Sequence, residues 1–226
     1  MKGSMERLAA WTGLGFALFL MVGNFLPGTP PKWNASAADI QLYLVGKNTK
    51  ILAGLVLTGL AYVLFLWFLA SFAGMFRDAG QGRLATIVYG AGVATIVIAA
   101  VGDGIQLAMA KIIYTADPNT VAALFGAGSW LYNRLFFALA AVGFATWLAT
   151  KRSNVMPAWY GMLSLLAGGI WIVSGVSFGD NGFFSITGGM CVIGFISVAV
   201  WVGLTSVLLV QRVGSEATAA TPAMGQ

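Results

Sequence analysis

Six stretches of apolar residues, each close to or beyond the length that crosses a lipid bilayer, dominate this chain: 8–25, 51–76, 84–113, 121–149, 157–178 and 185–210. A helix rising 1.5 Å per residue needs about 20 residues to cover a hydrocarbon core of roughly 30 Å. Within lipid, a helix satisfies its own backbone hydrogen bonds, whereas a barrel would need short alternating strands between turns, and the sequence has none. Composition agrees, with 59% hydrophobic and 8% charged residues in 226. A soluble domain carries about 25% charged residues to build its hydrated shell. The sequence therefore predicts an all-α, six-helix transmembrane bundle. It forms a single membrane domain over 1–212, followed by a small, polar tail over 213–226 that is expected to be disordered.

The runs are punctuated. Pro27, Pro30 and Pro31 close the first, and Asp117-Pro118 reads as an N-cap with proline at the first helical position of the fourth. Lys151-Arg152 ends the fourth and Pro157 opens the fifth. The first run has a basic start and a cleavable-looking Ala35-Ser36-Ala37 beyond it. Signal cores run to about 7–15 residues and are cut close to their ends, so this longer run is expected to remain as a span. With six spans, one side collects Lys2, Arg7, Arg77, Arg83, Lys151, Arg152 and Arg212, and the other Lys32, Lys47, Lys50 and Lys111. Lys and Arg accumulate on the cytoplasmic face, so both termini are predicted to be cytoplasmic. The formal charge of +5 then means attraction to anionic lipid headgroups. No basic block with interleaved aromatics points to nucleic acid.

The one long loop lies between the first two runs. Ser36 with Asp39 resembles a capping box, and Ala37, Ile40, Tyr43 and Leu44 recur at helical spacing before Gly46-Lys47-Asn48. This pattern predicts a short amphipathic interfacial helix in the first outer loop, with Trp33 and Tyr43 at headgroup level. Two alternatives stand beside it: a lid over an outward cavity, or an upward extension of the second helix.

Several chemistries are excluded by what the chain lacks. Without histidine, haem held by histidine, His-rich zinc sites and imidazole acid–base catalysis cannot be built. The single Cys191 allows no intrachain disulfide, and the last span holds no lysine for a retinal Schiff base. No strand precedes a glycine-rich phosphate loop. The sequence therefore implies no cofactor, no metal and no redox role.

Ionisable residues inside a span cost about 2.5–3.5 kcal/mol on insertion scales and need a reason. Two are deep: Asp103 in the third run, within VGDGIQLAMAK, and Arg134 in the fourth, within SWLYNRLFF. Counted from the short connection between these runs, they lie about 9 and about 13 residues in, roughly 6 Å apart in depth. Gly92, Thr95, Ala99, Asp103 and Gln106 share one stripe of the third helix, and Ala123, Ala127, Trp130, Arg134, Ala138, Ala141 and Ala145 share one of the fourth. Small residues around a charge let backbones approach and turn that charge inward. The expectation is an intramembrane polar site in which Asp103 pairs with Arg134, with Gln106, Ser129 and Asn133 nearby. Such a pair either fixes helix register alone or lines a polar cavity. Asp103 could instead meet water or Lys111.

Other signals are weaker. Gly175 and Gly179 in GVSFG read as close packing within the bundle. Trp67 and Trp201 read as interface anchors, and Asn24 as a cap on the frayed end of the first helix. The glycines and tryptophan of GLVLTGLAYVLFLW (Gly54, Gly59, Trp67) are faintly echoed in GMCVIGFISVAVW (Gly189, Gly194, Trp201).

The segments ERLAAWTGLGFALFL, KILAGLVLTGLAYVLFLWFLASF and GRLATIVYGAG, with the Pro-rich loop, resemble the multi-pass integral membrane proteins of unknown function common in actinobacteria. The resemblance covers most of the chain. It implies a bacterial plasma-membrane location and about six helices, and assigns no catalytic or binding residues. Three roles follow as expectations. The foremost is a structural or accessory subunit, partnered by lipid and another membrane subunit. The second is binding or transport of a small solute, ion or lipid at a polar site between the third and fourth spans. The third is an intramembrane enzyme, disfavoured because a salt-bridged carboxylate is a poor general base.

Overall fold

The computed structural model describes residues 2–219, with the side chains of Leu8 and of residues 11–212. These residues form six α-helices: α1 (Lys2–Phe25), α2 (Ala37–Asp78), α3 (Gly82–Ile112), α4 (Pro118–Ser153), α5 (Ala158–Gly175) and α6 (Gly189–Ala219). The one β-type pairing among them is an isolated bridge between Gly179 and Ser185. Five helices, α2 to α6, are long and apolar enough to cross a membrane, and the apolar part of α1, Trp11–Phe25, is shorter. Large apolar side chains stand exposed around the outside, among them Leu18, Val56, Trp67, Val97, Leu166 and Val200. Water would not tolerate that exterior, and lipid does, so the surface is that of a multi-pass membrane protein.

Each helix packs on the next in sequence, α6 returns to α1, and α2 also reaches α4. The result is a ring of helices. The end that carries the α1–α2, α3–α4 and α5–α6 loops is called upper here, and the end with the α2–α3 and α4–α5 loops lower.

Local sequence sets the helix ends. Ser36 caps α2 by accepting from the Asp39 amide at 3.1 Å, and Asp117 caps α4 by accepting from the Asn119 amide at 2.8 Å, ahead of Pro118. Asn154 ends α4 in the left-handed conformation (φ 51°). Asn24 donates to the Leu20 carbonyl at 2.9 Å, closing the last turn of α1 as expected. Gly28 (φ +81°) makes the turn that follows.

Two expectations about the elements are corrected, and a third is met only by a helix boundary. No separate interfacial helix forms, because α2 runs unbroken from Ala37 through Gly46-Lys47-Asn48 to Asp78. One helical glycine costs only about 1 kcal/mol, and packing outweighs it here: Ile40, Leu44 and Ile51 are buried against Met109, Ile113, Val121 and Phe125. Asn48 fastens the same stretch by donating to the Ala110 carbonyl at 2.8 Å. At the other end of the chain, α6 continues to Ala219. The remainder of the polar tail, 220–226, lies outside the described residues. Finally, α5 stops at Gly175, so Gly179 is a loop residue, whereas Gly175 does pack closely, against the Phe137 ring of α4.

The interior divides into two apolar clusters. In the lower half, Phe65, Phe68, Phe72 and Phe76 recur every three or four residues on one face of α2 as a ladder; the first three stack, Phe76 meets Phe72 edge-on, and Phe16 joins at 4.4 Å from Phe65. Trp201 completes it against Phe72, Trp171 and Tyr160. It is 2% exposed, and its ring nitrogen donates to Ser164 Oγ at 3.0 Å, so it is a core residue and not an interface anchor. Trp67, by contrast, is 52% exposed. The faint echo of α2 in α6 therefore carries no equivalence of role: Gly59 faces open space, whereas Gly194 lies against Ser174 and Phe136. The upper cluster is the one around Ile40, Met109 and Phe125. Between the clusters, α2, α3 and α4 leave a layer that neither fills. The polar residues of interest lie there.

Candidate functional site

Three helices bring polar side chains to one depth. Thr58 lies about 20 residues before the end of α2 at Asp78, and Asp103 about 21 after the start of α3 at Gly82. Equal rise along antiparallel helices puts the two side by side. Tyr62 sits one turn below Thr58 on the same face of α2, and Tyr132 of α4 arrives from the other side.

All three hydroxyls converge on Asp103. Thr58 Oγ1 donates to Asp103 Oδ2 at 2.8 Å and Tyr62 OH donates to the same oxygen at 2.9 Å. Tyr132 OH donates to Oδ1. Hydrogen bonds to a charged group are each worth about 1.5–3 kcal/mol. Three of them offset the insertion cost of one carboxylate, about 2.5–3.5 kcal/mol. The aspartate is thus accommodated without a cation.

The expected pairing with Arg134 is not made. Its guanidinium lies over the Phe178 ring at 4.7 Å and the Phe137 ring at 5.7 Å, on the exposed side of α4. The reason is angular. Tyr132 and Arg134 are two residues apart, about 200° around a helix, so the turn that aims Tyr132 at Asp103 aims Arg134 away. The upper part of the α4 small-residue stripe goes with it, since Ala123 and Ala127 are exposed, whereas Ala145 at its lower end is buried in the core. The stripe on α3 does face inward: Gly92, Thr95 and Ala99 are buried, with Asp103 and Gln106 half-buried beside them. The wall that α4 presents is Val121, Phe125, Gly128, Asn133 and Phe136.

The other named residues separate. Asn133 is 2% exposed, and its Nδ2 donates to the Ser174 carbonyl at 2.8 Å. Its Oδ1 is buried and unpartnered. Ser129 turns back to donate to the Phe125 carbonyl at 2.8 Å. Neither touches Asp103.

Two cavities flank the layer. One, of about 150 Å³, is lined by Asp103, Thr58, Gln106, Asn24, Tyr43 and their apolar neighbours. The other, of about 470 Å³, is lined by Tyr62, Tyr132, Gln106, Ser129, Asn133 and Cys191, with a mostly apolar wall from α1, α3, α4 and α6. Asn24, Gly28, Pro30, Gln106 and Phe125 line both, so the cavities meet along that seam.

The α1–α2 loop covers their upper end through Gly28 and Pro30. It is fastened by Lys32 Nζ, which donates to Asn181 Oδ1 at 2.8 Å, and by Trp33, packed edge-on to Trp130 at 5.4 Å. Of the readings open for this loop, a cover over a cavity describes its lower part, and a helical extension its end.

Sequence reasoning missed Thr58, Tyr62 and Tyr132. Tyr132 was within reach, being at the depth of Asp103 in the same motif as Arg134. Thr58 and Tyr62 carried the signal of two hydroxyls one turn apart in an otherwise apolar run. Comparisons with known proteins add no assignment: no family model, no curated protein and no solved structure matches this chain.

Proposed function

We propose that this chain is a six-span protein of the bacterial plasma membrane, of the multi-pass type its sequence resembles, with both termini cytoplasmic. In this reading it binds a small amphipathic or lipid-like molecule in the space between the two core clusters. The six-helix ring and the placement of Lys and Arg support the topology, which makes the upper end the outer one.

The carrying observation for binding is the cavity of about 470 Å³. Ligand sites commonly fall between about 300 and 1,000 Å³, with apolar walls and a few uncommitted polar groups. The buried Asn133 Oδ1 and the amide of Gln106 are such groups. A purely structural subunit would want a solid interior, and the interior is solid around the phenylalanine ladder but not above it.

The test is scintillation-proximity binding of tritiated decanol to purified protein in nanodiscs. Saturable binding is expected in the wild type, and Ala99→Phe, which projects a ring into the larger cavity, should abolish it while the melting temperature stays measurable. Absence of saturable binding to the wild type overturns the reading. Topology is checked independently in a Cys191→Ala background. A cysteine at position 151 should label with an impermeant maleimide only after the membrane is opened.

A further inference from the structure

The larger cavity tells the ligand's size, and Asp103 tells its charge. The carboxylate is met by three neutral hydroxyls and makes no ion pair with any described residue. Arg134, the deep cation of the fourth helix, is stacked on Phe178 outside the ring. No Lys or Arg lines either cavity. The site therefore places a carboxyl group at a cavity wall in a low-dielectric setting, and no described residue supplies a countercharge to it. Hydroxyl donors lower the cost of ionising that group but would leave its field uncancelled, so a cation bound in the adjoining space would supply the missing countercharge.

The adjoining larger cavity is apolar and aromatic. Phe16, Phe65, Phe125, Phe136 and Phe195 surround the larger cavity together with Tyr62 and Tyr132. Such a wall suits the apolar body of an amphipathic ligand. An anionic headgroup beside Asp103 would meet a carboxyl group with no basic partner, so it is selected against. A neutral molecule would leave the carboxylate unanswered.

Resting on the cavity reading above, we infer that the ligand is a lipophilic cation. Its ammonium group takes the smaller cavity beside Asp103, and its apolar body takes the larger one across the seam at Gln106 and Phe125. Asp103 is then the countercharge, with Thr58, Tyr62 and Tyr132 as positioning residues that hold the carboxylate at the wall.

Decyltrimethylammonium and decanol, equal in chain length and differing in charge, separate this inference from the cavity reading. Both are measured on nanodisc-embedded wild type and Asp103→Asn. The wild type should bind the cation more tightly. Asp103→Asn should weaken the cation about thirtyfold or more, the factor that follows from losing one partner of a buried charge pair, while decanol changes by less than about threefold. Decanol binding as well as or better than the cation to wild type overturns the inference without any variant, and leaves the cavity reading standing. Unchanged cation binding in Asp103→Asn, or equal loss of both probes, also overturns it. If neither probe saturates on wild type, the cavity reading fails with it.

Discussion

Removing one hydroxyl from the Asp103 cluster measures whether that carboxyl is charged where it sits. Tyr132→Phe deletes the oxygen that donates to Oδ1 and leaves the ring, so packing against α3, including the contact at Gly102, is kept. Oδ1 has no other hydrogen-bond donor among the described residues. If the carboxyl is ionised, the loss is that of a charge-assisted bond, about 1.5–3 kcal/mol. If it is neutral, the bond resembles an ordinary interhelical one in a membrane, worth about 0.6 kcal/mol on average. The two cases differ by more than the error of an unfolding titration. Tyr62→Phe should cost somewhat less, because Oδ2 keeps Thr58 as a donor. Thr58→Val should cost least, since the single Thr58 proton is shared with the Leu55 carbonyl at 3.1 Å. The assay is reversible unfolding in mixed dodecylmaltoside and SDS micelles, read by far-UV circular dichroism, with the free energy extrapolated linearly. Combining Tyr132→Phe with Asp103→Asn closes a double-mutant cycle. A Tyr132→Phe cost under about 0.5 kcal/mol, or a coupling to Asp103 near zero, would refute the account of how the carboxylate is held.

Further outcomes follow from the packing. Arg134→Gln should be nearly neutral, losing about 0.5–1 kcal/mol of exposed cation–π contact; a loss of about 3–5 kcal/mol, the cost of breaking a buried ion pair, would place Arg134 inside the ring after all. Gly54→Ala should destabilise by about 1–3 kcal/mol, because its methyl would meet the Gly23 carbonyl of α1 at 2.5 Å. Gly59→Ala, where nothing lies within 4 Å, should be neutral or gain up to about 1 kcal/mol; the same unfolding titration reads both. Trp201→Ala should cost about 3–5 kcal/mol and Trp67→Ala far less, and equal costs would contradict their placement in core and periphery.

Much of the fold was legible because lipid imposes a one-dimensional rule. Run length, proline punctuation and the caps at Ser36 and Asp117 depend on neighbours in sequence, and these led to the helices and most of their ends. The exceptions were decided by contacts that no local pattern encodes. Gly46-Lys47-Asn48 looks like a break until Ala110 of α3 arrives to accept from Asn48. Trp201 looks like an anchor until Ser164 of α5 accepts from its ring nitrogen and Phe72 and Trp171 close around it.

The candidate site shows the same division more sharply. Depth can be counted along a chain, and the count put Asp103 beside the right turn of α4. Rotation cannot be counted, and it decided the partner. Opposite charges suggested Arg134, and the alanines around it suggested an inward face, yet small residues also suit a helix side turned to lipid. What fixes the rotation of α4 is the bulk on its other side: Val121, Phe125, Phe136 and Leu139 must be buried in the two core clusters. Tyr132 lies within that arc, and Arg134 lies on the opposite side of the helix. Burying those four side chains contributes roughly 1.5–3 kcal/mol each, more together than one ion pair can return after desolvation. The apolar face therefore sets the orientation, and the carboxylate takes the donors which that orientation supplies.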